Sequence, residues 1–204
     1  MQVHVVDEEI ASRRSLGLIL QRLGHRVRFF VSGHALVTAQ DVEPGCVLLD
    51  LCTSDLAALD VLNELSDRRD TLPAIIIARL DDFGTAVSAM KMGAIDVLAK
   101  PVQPNELATS IELAESTLQR ASRRQDLAKR AETRLQRLTR REREVLAGVA
   151  RGQTNKTIGV DLGISPRTVE IHRAHLTEKL DVHNLSELLR LVYESELGDD
   201  DAAA

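Results

Sequence analysis

The stretch VLLDLCTSDLAALD, residues 47–60, begins as an apolar strand and then places a carboxylate at the end of that strand. Residues 46–49 are apolar and few enough to form a buried strand, and Asp50 follows them directly. A lone carboxylate does not pack stably in an apolar core, so Asp50 belongs at the rim of the sheet. Asp50 is therefore a candidate functional residue, and the surrounding fold decides what it can do.

Short apolar runs alternate with helical patterns through the first half of the chain. Helical patterns occupy the region before Gly24, about 34–40, 55–67 and 82–92, and the region from 104 onward, and the strand-like runs are 2–6, 25–29, 46–49, 74–78 and 95–99. Gly24 and Gly93 stand where helix C-terminal caps are expected. Five repeats of strand and helix predict an α/β fold with a parallel sheet covered on both faces.

Polar residues follow three of the predicted strands. Asp7 and Glu8 come after the first strand, Asp50 after the third and Lys100 after the fifth. The C-terminal ends of parallel strands share one crevice, where crowded carboxylates repel one another unless a cation joins them. Oxygen ligands that leave room for a phosphoryl group suit Mg²⁺, and Asp50 would then attack phosphorus to form an acyl phosphate. The alternative is that each acid only caps a helix or ends a strand.

Residues 2–115 resemble a response-regulator receiver domain, the flavodoxin-like (βα)5 module that takes a phosphoryl group from a histidine kinase. The resemblance implies that Asp50 is the phosphoacceptor, that Lys100 contacts the phosphoryl group, and that the Lys100–Pro101 bond is cis. The Mg²⁺ ligands that it implies are Glu8, Asp50 and the main-chain carbonyl of Cys52, with Asp7 acting largely through water.

The chain departs from the receiver pattern at the positions that relay phosphorylation. Ala78 replaces the family's switch hydroxyl, and Val97, which is stiff about its only side-chain torsion, replaces its aromatic rotamer switch. Ser54 and Ala58 replace the usual Pro and Gly after the phosphoacceptor, and Glu8 replaces the commoner Asp. We therefore expect weak or rerouted coupling, for instance through Arg79, or a protein that acts without phosphorylation.

Composition and charge narrow the classes of partner. Aromatic residues make up 2% of the chain, which disfavours sites built on base stacking or aromatic cages. Two cysteines without metal-type spacing, no leader and no long apolar run predict a cytoplasmic protein that does not enter a membrane. Residues 1–115 carry 10 Lys and Arg against 17 Asp and Glu, whereas residues 116–192 carry 16 against 9. The second half therefore suits a polyanion.

A long helix is predicted from residue 104, because no Gly or Pro follows until Gly148. With Gln125 as a polar member, its apolar residues form a heptad seam of Leu107, Ile111, Ala114, Leu118, Ala121, Ala128 and Leu135. This pattern predicts a modest dimer interface. The alternative is a helix that folds onto its own domains.

Four helices are indicated in the last third of the chain. Thr139 with Glu142 forms a capping box, Thr154 and Ser165 begin the next two helices, and Asn184 begins the fourth. The two short helices joined by LGIS match a helix-turn-helix, whose second helix enters the major groove.

This region resembles the LuxR-type module, because it carries LT.RE.EVL, NK.I, L.IS..TV..H and KL, with Gly159 where the family usually has Ala. The resemblance implies base or sugar contacts from Thr168, Glu170, Ile171 and Ala174, and phosphate contacts from Lys156, Arg167, Arg173 and Lys179. Lys179 could instead be only a solvated helix end, and His172 a packed residue.

The chain as a whole resembles NarL/FixJ-family response regulators, with most likeness to the FixJ branch. The predicted parts are a receiver domain (1–117), a helical linker (118–137), a LuxR-type domain (138–196) and a disordered tail (197–204). The expected function is a two-component transcription factor, not an enzyme, that binds double-stranded promoter DNA as a homodimer. A phosphorylation-independent regulator whose receiver mediates dimerisation or protein contacts is the alternative, and an aspartyl-phosphate hydrolase and a small-molecule sensor are less favoured.

Overall fold

A computed structural model describes residues 1–51, 58–79 and 82–203 of the chain. The chain divides into two compact units, Met1–Ala121 and Ser122–Ala204, so the first unit ends a few residues beyond the boundary that the sequence predicts. No helix in the described part is long and apolar enough to cross a membrane.

The first unit is built on a five-stranded parallel sheet with the order β2-β1-β3-β4-β5. Its strands are β1 (Gln2–Val6), β2 (Arg26–Phe30), β3 (Cys46–Asp50), β4 (Ala74–Ala78) and β5 (Asp96–Ala99). The predicted sheet is confirmed, and every strand lies within a residue of its predicted position. All residues of β3 and β4 are buried, which is why their sequences, CVLLD and AIIIA, are nearly continuous apolar runs.

Helices cover both faces of this sheet and form two apolar cores. They are α1 (Ile10–Arg22), α2 (Gly33–Val37), α3 (Ala58–Glu64), a 3₁₀ turn (Ser66–Arg68), α4 (Phe83–Lys91) and α5 (Pro104–Leu135). On one face Leu20 of α1 and Ile111 of α5 pack on the sheet, and on the other face Leu36 of α2 and Val61 of α3 do so. Each fully buried aliphatic side chain stabilises the fold by about 1.5–3 kcal/mol.

Helix α5 contributes side chains to the cores of both units. Leu107, Ile111 and Ala114 are buried in the first unit, and Ala131 and Leu135 pack in the core of the second. Residues 122–127, between these ends, are exposed. Most of the predicted heptad seam is therefore packed within the chain itself, as the alternative interpretation holds, and the predicted dimer seam stays a prediction.

The second unit is helical, and its helices begin where the sequence predicts. After the end of α5 it contains α6 (Arg140–Ala150), α7 (Asn155–Leu162), α8 (Pro166–Leu180) and α9 (Leu185–Ala203). Thr139 and Glu142 form the predicted capping box, and the side chains of Thr154 and Ser165 cap α7 and α8. Gly163 ends α7 with a φ of 67°, a conformation that glycine adopts without strain.

Two details of the second unit differ from the sequence-based expectation. Helix α9 continues to Ala203, where a disordered tail was predicted, because adding residues to a formed helix costs far less than starting one. Gly159 has a packing role in addition to loosening α7. A Cβ at this position would lie 2.8 Å from the carbonyl oxygen of Ile164, so glycine lets the turn approach the helix more closely than alanine would.

An ion pair between a buried carboxylate and a partly exposed lysine joins α6 to α8. Lys179 Nζ lies 2.8 Å from both carboxylate oxygens of Glu142, whose side chain is only 4% exposed. Burial opposes ionisation of Glu142, but Lys179 and the capping contacts of Thr139 outweigh it and lower the pKa of Glu142 from 4.5 to about 2. The Glu142 carboxylate thus accepts the N-cap N–H at the start of α6 and also pairs with Lys179 near the end of α8.

We expect Glu142→Gln to destabilise the second unit by about 1–3 kcal/mol at neutral pH, because the charged hydrogen bonds from Lys179 to the buried carboxylate would be lost. The pKa of Glu142 is lower in the folded state, so its contribution exists above about pH 4.5 and disappears as the pH falls toward 2. Urea unfolding of the full chain, followed by helix signal at several pH values, measures this.

The control is Glu144→Gln, which removes an outer carboxylate that pairs with Arg140 and Arg141. It should change stability little. A Glu142→Gln variant as stable as the Glu144 control, with the same pH profile, would contradict the role given to the ion pair.

Candidate functional site

The C-terminal edge of the sheet brings two carboxylates together. Asp50 ends β3 and Asp7 follows β1, and because Val6 pairs with Leu49, Asp7 stands beside Asp50 at the next position. Neighbouring strands are about 4.8 Å apart. Strand order reverses between β1 and β3, which is where parallel α/β sheets form their ligand crevice.

Lys100 reaches this crevice from the end of β5. Its ammonium nitrogen lies 2.5 Å from Oδ2 of Asp50, and its main-chain N–H donates to the carbonyl of Ala78 at 2.8 Å. The Asp50 side chain is 7% exposed and that of Lys100 is 28% exposed, so water reaches the pair from one side. The predicted meeting of Asp50 and Lys100 is thus present as a charge-assisted hydrogen bond.

Asp7 has one carboxylate oxygen that the fold satisfies and one that it does not. Oδ1 accepts the main-chain N–H of Glu9 at 2.7 Å, whereas Oδ2 is buried and has no hydrogen-bond partner among the described residues. Leaving a buried carboxylate oxygen unpaired costs free energy unless a ligand or water satisfies it. This atom is the observation in the crevice that points to a cation.

The described residues fit a hard divalent cation only as a partial site. Asp7 and Asp50 are buried on neighbouring strand ends, and Glu8 is exposed beside them. No group of three His, Cys, Asp or Glu residues within 1–51, 58–79 and 82–203 is arranged to hold a metal ion. Cys52, whose carbonyl the resemblance assigns to the metal, lies outside the described residues. Two carboxylates plus water suit Mg²⁺, which commonly keeps several waters.

Ala78 and Val97 occupy the positions at which the receiver family has its switch hydroxyl and its aromatic rotamer switch. Ala78 is buried as the last residue of β4, and Val97 is half-buried in β5 against the core. Neither side chain can donate a hydrogen bond. The Lys100–Pro101 bond is cis, as the resemblance implies. Ser54 lies outside the described residues, and Ala58 is the buried first residue of α3.

Helix α8 exposes the face that the sequence assigns to DNA. Its buried residues are Val169, Leu176 and Leu180, and His172 is half-buried. Thr168 is partly buried, and its hydroxyl bonds that of Ser165. The remaining candidate readers, which are exposed, are Glu170, Ile171 and Ala174. Ile171 is apolar and yet 46% exposed to solvent.

The four predicted phosphate-binding residues are not equivalent. Lys156 is exposed on α7 and makes no side-chain bond to the described residues. Arg167 pairs with Glu170 on the surface at 2.7 Å, and Arg173 donates to Asn155 Oδ1 at 2.7 Å. Lys179 is paired with the buried carboxylate of Glu142, so it is more than a solvated helix end, and its phosphate contact stays a prediction.

Two contacts cannot be predicted from local sequence patterns, because they join residues far apart in the chain. The capping box predicts Glu142 at the start of α6, yet nothing local indicates that Lys179, 37 residues later, completes it. Arg134, near the end of α5, donates to the carbonyls of Leu180 and Asp181 at the end of α8. The last carbonyls of a helix have no intrahelical partner, so those of Leu180 and Asp181 are available to a side-chain donor.

Comparison with known proteins assigns both units to families. Residues 3–112 match the response regulator receiver domain family, and residues 136–192 match the luxR family of bacterial regulatory proteins. The transcriptional regulatory protein FixJ of Rhizobium meliloti (strain 1021) is 40% identical over 190 residues, covering 93% of each chain. The fold and these matches define a response regulator with a receiver domain and a LuxR-type DNA-binding domain.

Solved structures agree with this assignment. Full-length FixJ from B. japonicum is 32% identical, with a TM-score of 0.59, over 96% of this chain and 97% of the other. The response regulator StyR is 30% identical, with a TM-score of 0.73, over 95% of this chain and 98% of the other. The chain belongs to the FixJ family of two-component transcription regulators.

Substitution of the two lysines separates phosphate binding from packing. We expect Lys156→Gln to reduce the salt slope of DNA binding by about 0.9, the value for one phosphate contact, with little change in stability. Lys179→Gln should instead lower the unfolding temperature and leave the slope nearly unchanged. Fluorescence anisotropy with a labelled duplex at several salt concentrations, beside thermal unfolding, tests both. A full unit of slope lost in Lys179→Gln without destabilisation would restore its predicted phosphate contact.

Proposed function

We propose that Asp50 accepts a phosphoryl group from a sensor histidine kinase and that the second unit binds promoter DNA. The observation that supports the first part is the Asp50–Lys100 contact of 2.5 Å beside the unsatisfied oxygen of Asp7. An oxygen of the Asp50 carboxylate attacks phosphorus. The phosphorus–nitrogen bond of the phosphohistidine breaks, and the imidazole leaves with the bonding electron pair.

The residues around Asp50 have separate roles in this transfer. Lys100 keeps its ammonium at the reacting carboxylate and can donate to a phosphoryl oxygen once the acyl phosphate has formed. Asp7 and Glu8, with Asp50 and the carbonyl of Cys52, would hold Mg²⁺. When bound, the ion neutralises charge on the phosphoryl oxygens. The transfer modifies the protein itself, so we propose a regulator and not an enzyme with an external substrate.

Incubation with a small acyl phosphate and Mg²⁺ tests the site directly. Intact-mass measurement should show the gain of one phosphoryl group in the wild type and none in Asp50→Asn. Asp60→Asn, which changes an exposed carboxylate on α3, is the matched control and should react like the wild type. Equal phosphorylation of the Asp50 variant would place the acceptor elsewhere.

We propose that phosphorylation of Asp50 is weakly coupled to DNA binding. A modified residue shifts a distant surface only through groups that interact differently with the two states. Ala78 has no hydroxyl to turn toward a phosphoryl oxygen, and Val97 has no ring to follow it. Arg79 directly follows β4, and the β4–β5 pairing places it beside Lys100, so it is our candidate for a substitute relay.

Phosphorylation should therefore raise DNA affinity by less than about fivefold, the lower end of ordinary allosteric coupling. Binding of the wild type and Asp50→Asn to genomic fragments, each with and without phosphodonor and Mg²⁺, measures this. A large gain that requires Asp50 would refute weak coupling. No gain at all, with binding intact, would favour a phosphorylation-independent regulator whose receiver serves as a dimerisation or protein-interaction module.

The DNA part of the proposal places α8 in the major groove. Thr168, Glu170, Ile171 and Ala174 would face base edges or sugars, and the phosphate contacts would come from Lys156, Arg167 and Arg173. The surface pair of Arg167 and Glu170 contributes little to stability, so Arg167 can exchange its partner for a phosphate at small cost.

We further propose that the protein binds DNA as a homodimer in the cytoplasm. Helix α9 presents Leu185, Leu189 and Tyr193 at spacings of four residues, and all three are exposed. Residues at such spacing lie on one helix face. An apolar stripe of this kind on the DNA-binding unit fits a second copy of the chain, which would place two recognition helices on one duplex.

A further inference from the structure

The positive charge of the second half of the chain lies on α5 and not on the LuxR-type module. Residues 138–196 contain nine Lys and Arg and nine Asp and Glu, so the module carries no net charge. Residues 118–137 contain seven Lys and Arg against two Asp and Glu, a net charge of +5. Phosphate neutralisation supplies most non-specific DNA affinity, so the source of the cations matters.

Most cations of the module are already bonded within the fold. Lys156 is the only Lys or Arg in the described part of 138–196 whose side chain makes no hydrogen bond or ion pair there. The other eight are held by acidic, amide or carbonyl oxygens: Arg140, Arg141, Arg143, Arg151, Arg167, Arg173, Lys179 and Arg190. The module therefore has few cations that can meet phosphate without first losing a partner.

The end of α5 offers the opposite situation. Its exposed cations without a side-chain partner among the described residues are Arg120, Arg123, Lys129 and Arg130, and Arg137 follows just beyond its end. Residues from 122 onward belong to the same compact unit as the recognition helix α8. Cations held in that unit meet DNA at a high effective concentration once α8 is bound.

Helix geometry selects two of these cations. Arg134 bonds the carbonyls at the C-terminal end of α8, so its face of α5 is turned toward the recognition helix. Arg130 lies four residues before Arg134 on that same face, about 6 Å along the axis, and Arg123 lies a further 10 Å away. Together they extend a positive row outward from the end of α8.

We infer that Arg123 and Arg130 form a second DNA-contacting surface, which binds phosphates of duplex flanking the base pairs read by α8. The inference rests on DNA binding by the LuxR-type module. It assigns to α5, beyond its packing in both cores, a share of the affinity that the neutral module lacks. The contacts are to phosphate and carry no sequence preference of their own.

The test uses the full chain and the double variant Arg123→Gln/Arg130→Gln. The matched control, Lys129→Gln/Arg22→Gln, removes the same charge from an exposed residue about 100° around α5 and from one on α1. Binding is measured by anisotropy at 50–200 mM salt, on a duplex of about 12 base pairs, roughly the span of one module, and on one of about 30 base pairs. Thermal unfolding confirms that both variants remain folded.

On the long duplex, we expect the salt slope of the double variant to fall by about 1.8, with affinity at low salt reduced more than tenfold. The control should retain the wild-type slope, and the short duplex should not distinguish the two variants. Equal slopes for variant and control on the long duplex would overturn the inference. If the wild type itself binds no duplex, DNA binding by the module fails instead.

Discussion

The contact between Lys100 and Asp50 is the interaction on which the receiver depends. It joins the ends of β3 and β5, which the sheet order keeps two strands apart, and it leaves the carboxylate at the rim with water on one side. β4 lies between these strands and ends on Ala78, which adds no polar group to the crevice. The parallel sheet is the reason that residues 7, 50 and 100, distant in sequence, form one site.

The second unit meets a different constraint. Its helices are joined by a buried carboxylate that must stay ionised, and Lys179 supplies the counter-charge. Several other cations are also paired to acids or amides within the fold, so most cations of the module must give up a partner, often at small cost, before they can bind phosphate. Helix α5, which also supplies core residues to both units, carries exposed cations without a side-chain partner among the described residues, including Arg123, Lys129 and Arg130, and α7 carries one more, Lys156. Part of the proposed phosphate binding therefore falls to cations that hold no other part of the fold in place.

Local sequence patterns were sufficient for the elements of secondary structure and for the first site. Strand runs, glycine caps and the capping box at Thr139 each depend on neighbours a few residues apart, and the structure has them as expected. The position of Asp50 and Lys100 followed from parallel topology. The polar composition of residues 197–204 predicts a disordered tail. Composition does not take into account that a helix already formed before these residues can continue into them.

Contacts between distant residues could not be predicted in the same way. The ion pair of Glu142 with Lys179 and the bonds from Arg134 to the end of α8 depend on how helices cross. Heptad spacing indicated a seam on α5, but spacing does not tell whether an apolar face packs against a second chain or against its own domain. The unsatisfied oxygen of Asp7 was likewise invisible, because its burial depends on the whole sheet edge.

We propose that the acidic crevice takes up a divalent cation, which would satisfy the buried oxygen of Asp7. The test is the unfolding temperature of the receiver domain in the full chain, measured at increasing Mg²⁺ concentrations. An ion that binds only the folded state raises this temperature as the ion concentration rises. We predict a saturable rise in the wild type, its loss in Asp7→Asn, and its retention in Asp60→Asn. A rise of the same size in Asp7→Asn, or none in the wild type, would contradict the account.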